Sequence, residues 1–412
     1  MSAVLSIVAL LLSGPALADA PADLVTEALA ANPGIAAMED HVGELEAMAQ
    51  VAGAWPDPMA AVEYSNVPVT TWGLSDHMMA GLQFKVQQTI PFPGVTGLRA
   101  EVAESQVSTA EASLAEARLK LARSVEEAWW KLVLVRQLRA VTAAHVKLTD
   151  QLVGAVRARY ETGTAGQNAL VRMQVLRDKL TDDLADFDRQ DRQLSAGLAA
   201  ALHRPGATFQ TPTDPSVIAP QGDVAEWLDA AKAHRPALDE LRTAQHTAEL
   251  SARLARADAR PDLTVWGGYR LRTVQTMTDP GTDLASIGLS VPLTFNGSRV
   301  GRGKEAAALQ AASAARQRTD ALLDSITADL ESAQAAWTRA ADKARVYGDD
   351  LLPAAHQALD ATLADYRVDK ADFANLYQAE VQLLDLDRAR LAAVAETHLQ
   401  DATVRATTGE SQ

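Results

Sequence analysis

The sequence predicts a mainly α chain with a small β part, built as two pseudo-symmetric repeats, and three observations carry that reading. The first is an internal echo. The segment Tyr160–Gln174 aligns without a gap on Tyr366–Glu380, 206 residues later in a chain of 412. Ile90-Pro91-Phe92 is answered by Val291-Pro292-Leu293, Pro56-Asp57 by Pro261-Asp262, and Asn32-Pro33 by Arg235-Pro236. A duplication in this order fixes the architecture before any element is assigned. The second is a proline-free run from Val95 to Tyr160 in which Ala100, Val107, Leu114, Leu121, Ala128 and Val135 recur every seven residues. That seam is the signature of left-handed coiled-coil packing. The third is a pair of short segments, Gly81–Gln88 and Ile287–Val291, that alternate apolar and polar residues with the period of a strand.

Each half follows one plan. A helix comes first, from about Leu24 to Ala54 and again from Val224 to Ala259, stopped by Pro56 and Pro261. A hairpin follows, Met59–Asn66 with Gly81–Gln88 and Leu263–Arg272 with Ile287–Val291, joined by the polar, turn-rich segments Val67–His77 and Thr273–Asp283. Strands of about 8–11 residues have the length of a tilted transmembrane β-strand, although a soluble hairpin also alternates. After Pro91 and Pro292 the long helices begin. The first is roughly 100 Å long at 1.5 Å per residue. The second runs from about Arg302 to Tyr366 with Leu323, Leu330 and Trp337 in sevens, and Pro353 intrudes upon it. A helix then returns in each half, and Met173, Leu180, Leu184, Phe187, Leu194 and Leu198 form its apolar stripe in the first. The expected domains are a first repeat over 19–203, a proline-rich linker over 204–222, a second repeat over 223–405 and a tail over 406–412.

Composition removes several classes of function. The net charge of −15 is unfavourable for nucleic acid and for anionic headgroups. The absence of cysteine excludes disulfides, thiolate metal sites and thiol catalysis. Residues 1–18 read as a signal peptide: an apolar run from Val4 to Leu12, a break at Ser13-Gly14-Pro15, and Ala16-Leu17-Ala18 before Asp19, although no Lys or Arg precedes the run. No other stretch approaches the roughly 20 apolar residues of a spanning helix, so a membrane would be entered by strands. Four strands cannot close a barrel, whose minimum is about eight, so several chains would have to share one.

The sequence indicates no reactive chemistry. The eight histidines are scattered, with no zinc spacing. Gly301-Arg302-Gly303-Lys304 lacks the first glycine and the Ser or Thr of a phosphate loop, and reads as a helix entry. His77-Met78-Met79 carries soft-metal ligand types, yet Met79 falls on the apolar phase of the next strand, which favours packing. The chain reads as neither an enzyme nor a cofactor protein.

The export signal, the duplicated helix–hairpin–helix plan, the two Tyr…Leu turns and the Gln88-Thr-Ile-Pro-Phe-Pro-Gly94 junction together resemble the TolC family of bacterial outer-membrane efflux channels. Pro56-Asp57-Pro58-Met59, Asn66-Val67-Pro68 and Pro91-Phe92-Pro93-Gly94 resemble its heavy-metal resistance subgroup. The resemblance implies a homotrimer in the outer membrane that extends into the periplasm. Its α-barrel of helical hairpins would lie below a shared 12-stranded transmembrane β-barrel. It implies a passive efflux duct for metal ions or small toxic compounds, fed by a periplasmic adaptor and a proton-driven pump of the resistance-nodulation-division type. Adaptor docking would fall on two hairpin tips: Tyr160, Gly163, Thr164, Ala165 and Leu170 in one, Tyr366, Asp369, Lys370 and Leu376 in the other. Asp369 stands where the family's turn has glycine. The entrance constriction would fall on Asn375 and Gln378, amides where the family often has carboxylates. Alternation assigns Leu82, Phe84, Val86, Ile287, Leu289 and Val291 to the lipid face, and Gln83, Lys85 and Gln87 to the lumen. Two other readings compete: the outer-membrane duct of a type I protein secretion system, and a soluble periplasmic coiled-coil scaffold.

Overall fold

The structure, a computed structural model, describes residues 19–273, 281–293 and 295–410. The expected signal peptide therefore lies outside the described residues, as does most of the second hairpin loop. Two helices, α1 (Pro21–Ala31) and α2 (Pro33–Ala52), occupy the place of the first expected helix. Its counterpart is likewise divided, into α5 (Val224–His234) and α6 (Pro236–Asp258). Each had been expected as one uninterrupted helix. The breaks fall at Asn32 and Arg235, whose ψ angles of 119° and 113° are extended. A residue before proline is pushed out of the helical region, and proline is well suited to open the helix that follows. The paired Asn-Pro and Arg-Pro thus break both helices at equivalent places.

The hairpins form one antiparallel sheet in the order β1 (Met59–Ser65), β2 (Gly81–Ile90), β3 (Leu263–Leu271), β4 (Leu284–Ser290). β2 and β3 pair through nine positions, from Leu82 opposite Leu271 to Ile90 opposite Leu263. β4 begins three residues earlier than the alternation suggested, which leaves Val291 just beyond its end.

α3 (Val95–Glu161) is 67 residues long and unbroken, as its heptads require. α4 (Gln167–Ala201) returns, with Met173, Leu180 and Leu198 of the expected stripe buried. In the second half α7 (Gly297–Arg345) passes through a π-helical turn, Val346–Leu351, into α8 (Leu352–Arg367). There the Leu352 N–H reaches back five residues to the Tyr347 carbonyl. Pro353 then sits in the first turn of α8, where the hydrogen bond it cannot donate is least missed. The intruding proline is absorbed by a wider turn instead of ending the rod. α9 (Phe373–Thr408) completes the chain.

The elements group into two compact units, each drawing on both halves of the sequence. One takes Met38–Leu114 and Pro236–Leu322 and holds the sheet. The other takes the described residues up to Ala37, Ala115–Arg235 and Leu323 onward, and it is helical. Its core has two parts. Leu24, Val25, Val125, Trp129, Leu132 and Leu198 pack in one; Leu152, Val156, Met173, Leu180, Leu376 and Leu383 pack in the other. Each such side chain contributes roughly 1.5–3 kcal/mol by leaving water. Residues 204–222 contain no helix or strand and are packed as a strap. Phe209 is buried beside Trp129 and Leu198. The Trp337 indole donates to the Ile218 carbonyl (2.7 Å), and His398 donates to that of Ser216 (2.9 Å).

Candidate functional site

The sheet has two chemically different faces. Directly opposed residues of an antiparallel pair point to the same side. The register therefore places Val62, Phe84, Tyr269 and Ala285 in one row across the sheet, and Ala60, Val86, Gly267 and Ile287 in the next. Leu82 and Leu289 fall on that same face, opposite Leu271 and Val265. This side is apolar yet exposed, and Ile287 shows 91% of its surface. The other face is polar and internally bonded. Arg270 donates to the Gln83 side chain at 2.7 Å, the Lys85 ammonium lies 4.8 Å from the centre of the Trp266 ring, and the hydroxyls of Thr89 and Thr264 meet at 3.1 Å. Gln87 shares that face, opposite Trp266. Among the described residues no strand pairs with the outer edge of β1 or of β4.

The two hairpin tips reproduce one backbone turn. In the first, the amides of Gly163, Thr164 and Ala165 donate to the carbonyls of Tyr160, Arg159 and Arg159 at 3.0, 2.9 and 3.1 Å. In the second, Asp369, Lys370 and Ala371 donate to Tyr366, Asp365 and Asp365 at 3.4, 2.9 and 3.3 Å. Gly163 has φ 75° and Asp369 has φ 60°. Asp369 thus takes up the left-handed conformation that glycine adopts freely, which a short polar side chain tolerates. The side chains then diverge. Tyr160 is 42% exposed, whereas Tyr366 is 2% exposed and lies under the Arg159 guanidinium, 4.6 Å from its ring centre. Arg159 also donates to the Tyr366 carbonyl at 2.8 Å and pairs with the Asp369 carboxylate. Thr164 and Lys370 are exposed, Ala165 and Leu170 half-buried and Leu376 fully buried. Asn375 and Gln378 are both exposed and stand three residues apart at the start of α9, on one side of the helix. The Asn375 amide donates to the Asp372 carboxylate (2.9 Å), which caps α9.

Further along the same two hairpins lies a buried ionic cluster. His145 of α3 is held on both ring nitrogens, by Glu380 at 2.8 Å and Asp387 at 3.0 Å, both on α9. Burial alone would lower the imidazole pKa, but the hydrogen bonds and charges of the two carboxylates outweigh it and raise it to about 9. The ring is therefore an imidazolium at neutral pH. Close by, Arg388 of α9 donates to Thr142 of α3 at 2.9 Å and to Asp183 of α4 at 2.7 Å. Sequence reasoning missed Arg159 and this cluster alike. Arg159 adjoins a motif tyrosine, which is a weak cue. Nothing in the spacing of His145, Glu380 and Asp387 announces their meeting.

Among the described residues no group of three or more His, Cys, Asp or Glu is arranged to hold a metal ion. The His77 ring accepts from the Met79 amide at 3.2 Å. No described helix is long and apolar enough to cross a membrane, which bears on helices and not on strands. A cavity of about 650 Å³ opens among α2, α3, α6 and α7, walled largely by alanine, serine and threonine, with His41 and Glu240 in its lining.

Residues 24–203 match the family model described as outer membrane efflux protein. A search of curated protein sequences finds no match. Among solved structures, the chain is similar to the outer-membrane channel OprN at 15% identity, covering 95% of this chain and 90% of that one, with a TM-score of 0.79. It is similar to the outer membrane protein VceC of Vibrio cholerae at 19% identity, covering 95% and 96%, with a TM-score of 0.78. It is also similar to CusC, whose structures concern transmembrane channel formation, at 16% identity, covering 95% and 92%, with a TM-score of 0.76. At such identities the likeness shows the fold. The match to the outer membrane efflux protein model thus covers the first repeat, and the fold shared with these structures extends over nearly the whole chain.

Proposed function

We propose that three copies of this chain form a passive exit duct through the outer membrane and into the periplasm, supplied by a periplasmic adaptor and an inner-membrane pump. The observation that carries this reading is the sheet: four strands, apolar and exposed on one face, polar on the other, with both edges unpaired among the described residues. An exposed apolar face beside open edges is unfavourable in water and suited to lipid. Four strands are too few to close a barrel, so the edges must be met by other copies. Leu82, Phe84, Val86, Ile287 and Leu289 then face lipid, with Val291 at the strand's end, and Gln83, Lys85 and Gln87 face water. The tips at Tyr160–Leu170 and Tyr366–Leu376 are the adaptor-docking elements, and Asn375 with Gln378 narrows the entrance. An amide ring there binds cations weakly, so selection falls to the pump. The proposed cargo is a metal ion or small toxic compound expelled by a proton-driven pump of the resistance-nodulation-division type; its support is the Pro56-Asp57-Pro58-Met59 junction, which resembles that of the heavy-metal resistance subgroup.

The test is assembly. Full-length protein should be recovered from outer membranes as a trimer and should conduct ions in a planar bilayer. Phe84→Arg should abolish both, because a cation at mid-membrane on a barrel's lipid face costs about 2–4 kcal/mol. Gln83→Arg should leave both intact. Recovery as a soluble periplasmic monomer, or equal tolerance of the two substitutions, would overturn the reading. Growth of a deletion strain on copper, silver, zinc, dyes and antibiotics then tests the cargo; sensitivity to drugs with none to metals would remove the metal proposal and leave the duct.

A further inference from the structure

The β2·β3 seam inside one chain is a template for the seam between chains. We propose that the β4 edge of one copy pairs antiparallel with the β1 edge of the next, with Ser290 opposite Met59, and that Asp57 of the next copy holds the Leu293 amide. The inference rests on the channel reading above and adds to it the register and the residues of the joint.

Within the chain, the seam ends in a built junction. Ile90 stands opposite Leu263, the Phe92 N–H donates to the Asp262 carboxylate at 2.9 Å, and the Arg260 guanidinium covers the Phe92 ring at 4.7 Å. Pro91 is buried there, and Phe92 and Asp262 are half-buried. The sequence duplication supplies each part a second time. Pro292-Leu293 repeats Pro91-Phe92 after β4, and Trp55-Pro56-Asp57 repeats Arg260-Pro261-Asp262 before β1. In the single chain these second parts are open. Leu293 is 79% exposed and Phe295 90%, while Trp55, Asp57 and Pro292 are exposed as well. Each half of a second junction therefore stands ready at opposite edges of one sheet, and only another copy can bring them together. Two different edges that fit one another generate a ring.

Carrying the β2·β3 register across the duplication sets Ser290 opposite Met59, Ile287 opposite Val62 and Leu284 opposite Ser65. Two independent observations agree with it. β1 spans Met59–Ser65 and β4 spans Leu284–Ser290, so the seven residues of each meet end to end with no overhang. The intrachain registers also place Val62 beside Phe84 and Ile287 in line with Val86, on the same apolar face. A slip of one residue would set Ile287 against Glu63 or Ala61 and cross the faces.

The chain has no cysteine, so paired cysteines can be introduced without background. Full-length Met59→Cys/Ser290→Cys and the shifted control Ala61→Cys/Ser290→Cys are purified in detergent, shown to assemble like the parent while reduced, and then oxidised. The matched pair should yield a covalent ladder ending at the full oligomer, and the shifted pair none, since disulfides require close Cα atoms. Cross-linking of the shifted pair, or of neither in a protein that still assembles, overturns the register while the channel reading stands. A parent chain that is monomeric in detergent overturns both. Asp57→Ala should lower the temperature at which the oligomer dissociates; no shift overturns the Asp57 contact.

Discussion

The two hairpin tips share one backbone turn and differ in how they are fastened. The first uses Gly163 in the left-handed position and Gly166, without a side-chain cap, before α4. The second uses Asp369 and caps α9 with Asp372. Hydrogen bonds 206 residues apart in sequence match one for one, so the turn belongs to the duplicated backbone and not to any one residue type. The asymmetry lies in charge. At two depths the first hairpin offers the cation and the second the anion, Arg159 to Asp369 at the exposed end and His145 to Glu380 and Asp387 in the buried body, while Arg388 of α9 answers Asp183 of α4 in the opposite sense. The hairpins are thus equivalent in shape and complementary in charge, and substitutions at each depth measure how much the complementarity contributes.

The buried link should matter most. His145→Ala leaves the Glu380 carboxylate buried without its partner, and breaking a buried pair in this way costs about 3–5 kcal/mol. Denaturant unfolding of the helical unit should show the loss, and hydrogen exchange should place it along α9. The sign of the pH effect follows from the raised pKa. The folded imidazole titrates at about 9 against an ordinary 6.5, so its stabilisation is complete below about 6.5 and disappears as pH rises through 9. The parent's unfolding midpoint should fall between pH 7 and pH 10, and that fall should shrink in His145→Gln. An identical pH profile in the two proteins would mean that the cluster does not join the hairpins.

At the exposed end the effect should be smaller. Arg159→Ala removes one charged hydrogen bond to the Tyr366 carbonyl, the Asp369 pair and the cover over the Tyr366 ring. A charged hydrogen bond is worth about 1.5–3 kcal/mol, reduced here because Asp369 is largely in solvent. Amide exchange should quicken at both tips together and leave the Trp129 core unchanged. Quickening at the first tip alone would show that the hairpins are not fastened there.

The turn itself gives a third comparison. A Cβ at Gly163 meets nothing within 4 Å, so any penalty there is conformational. Gly163→Val should cost about 1–2 kcal/mol, the price of a left-handed β-branched residue. Gly163→Asp should cost less, as the second tip already shows Asp in that conformation. Equal exchange rates in the two variants would remove the parallel between the tips.

These comparisons also show what a sequence can reveal. The turns, strands, rods and sheet faces are local patterns of period two, three and a half or seven, and duplication states each of them twice. Pro33 and Pro236 were visible as a repeated pair, yet apolar spacing on both sides concealed the breaks they cause. Pro353 read as an intrusion because periodicity has no symbol for a π turn. The proline-rich stretch 204–222 read as a linker, since the bond from Trp337 to Ile218 spans 119 residues. His145 with Glu380 lies further out of reach, 235 residues apart on helices whose facing sides only the fold determines. Patterns within an element are written along the chain; pairings between distant elements are not.

The smallest effect should come from the caps. Asp372 accepts from the Asn375 amide and relieves one of the unpaired donors that begin α9, whereas Gly166 offers no side chain to α4. Asp372→Ala should cost about 1 kcal/mol and Asp372→Gly a few tenths, while Gly166→Asp should recover a few tenths at the other tip. Exchange of the first-turn amides of α4 and α9 reads all three. If the two turns are one device built twice, the gain at residue 166 should mirror the loss in Asp372→Gly. A gain at one end without the matching loss would mean that tertiary packing from Leu376, and not the cap, sets where α9 begins.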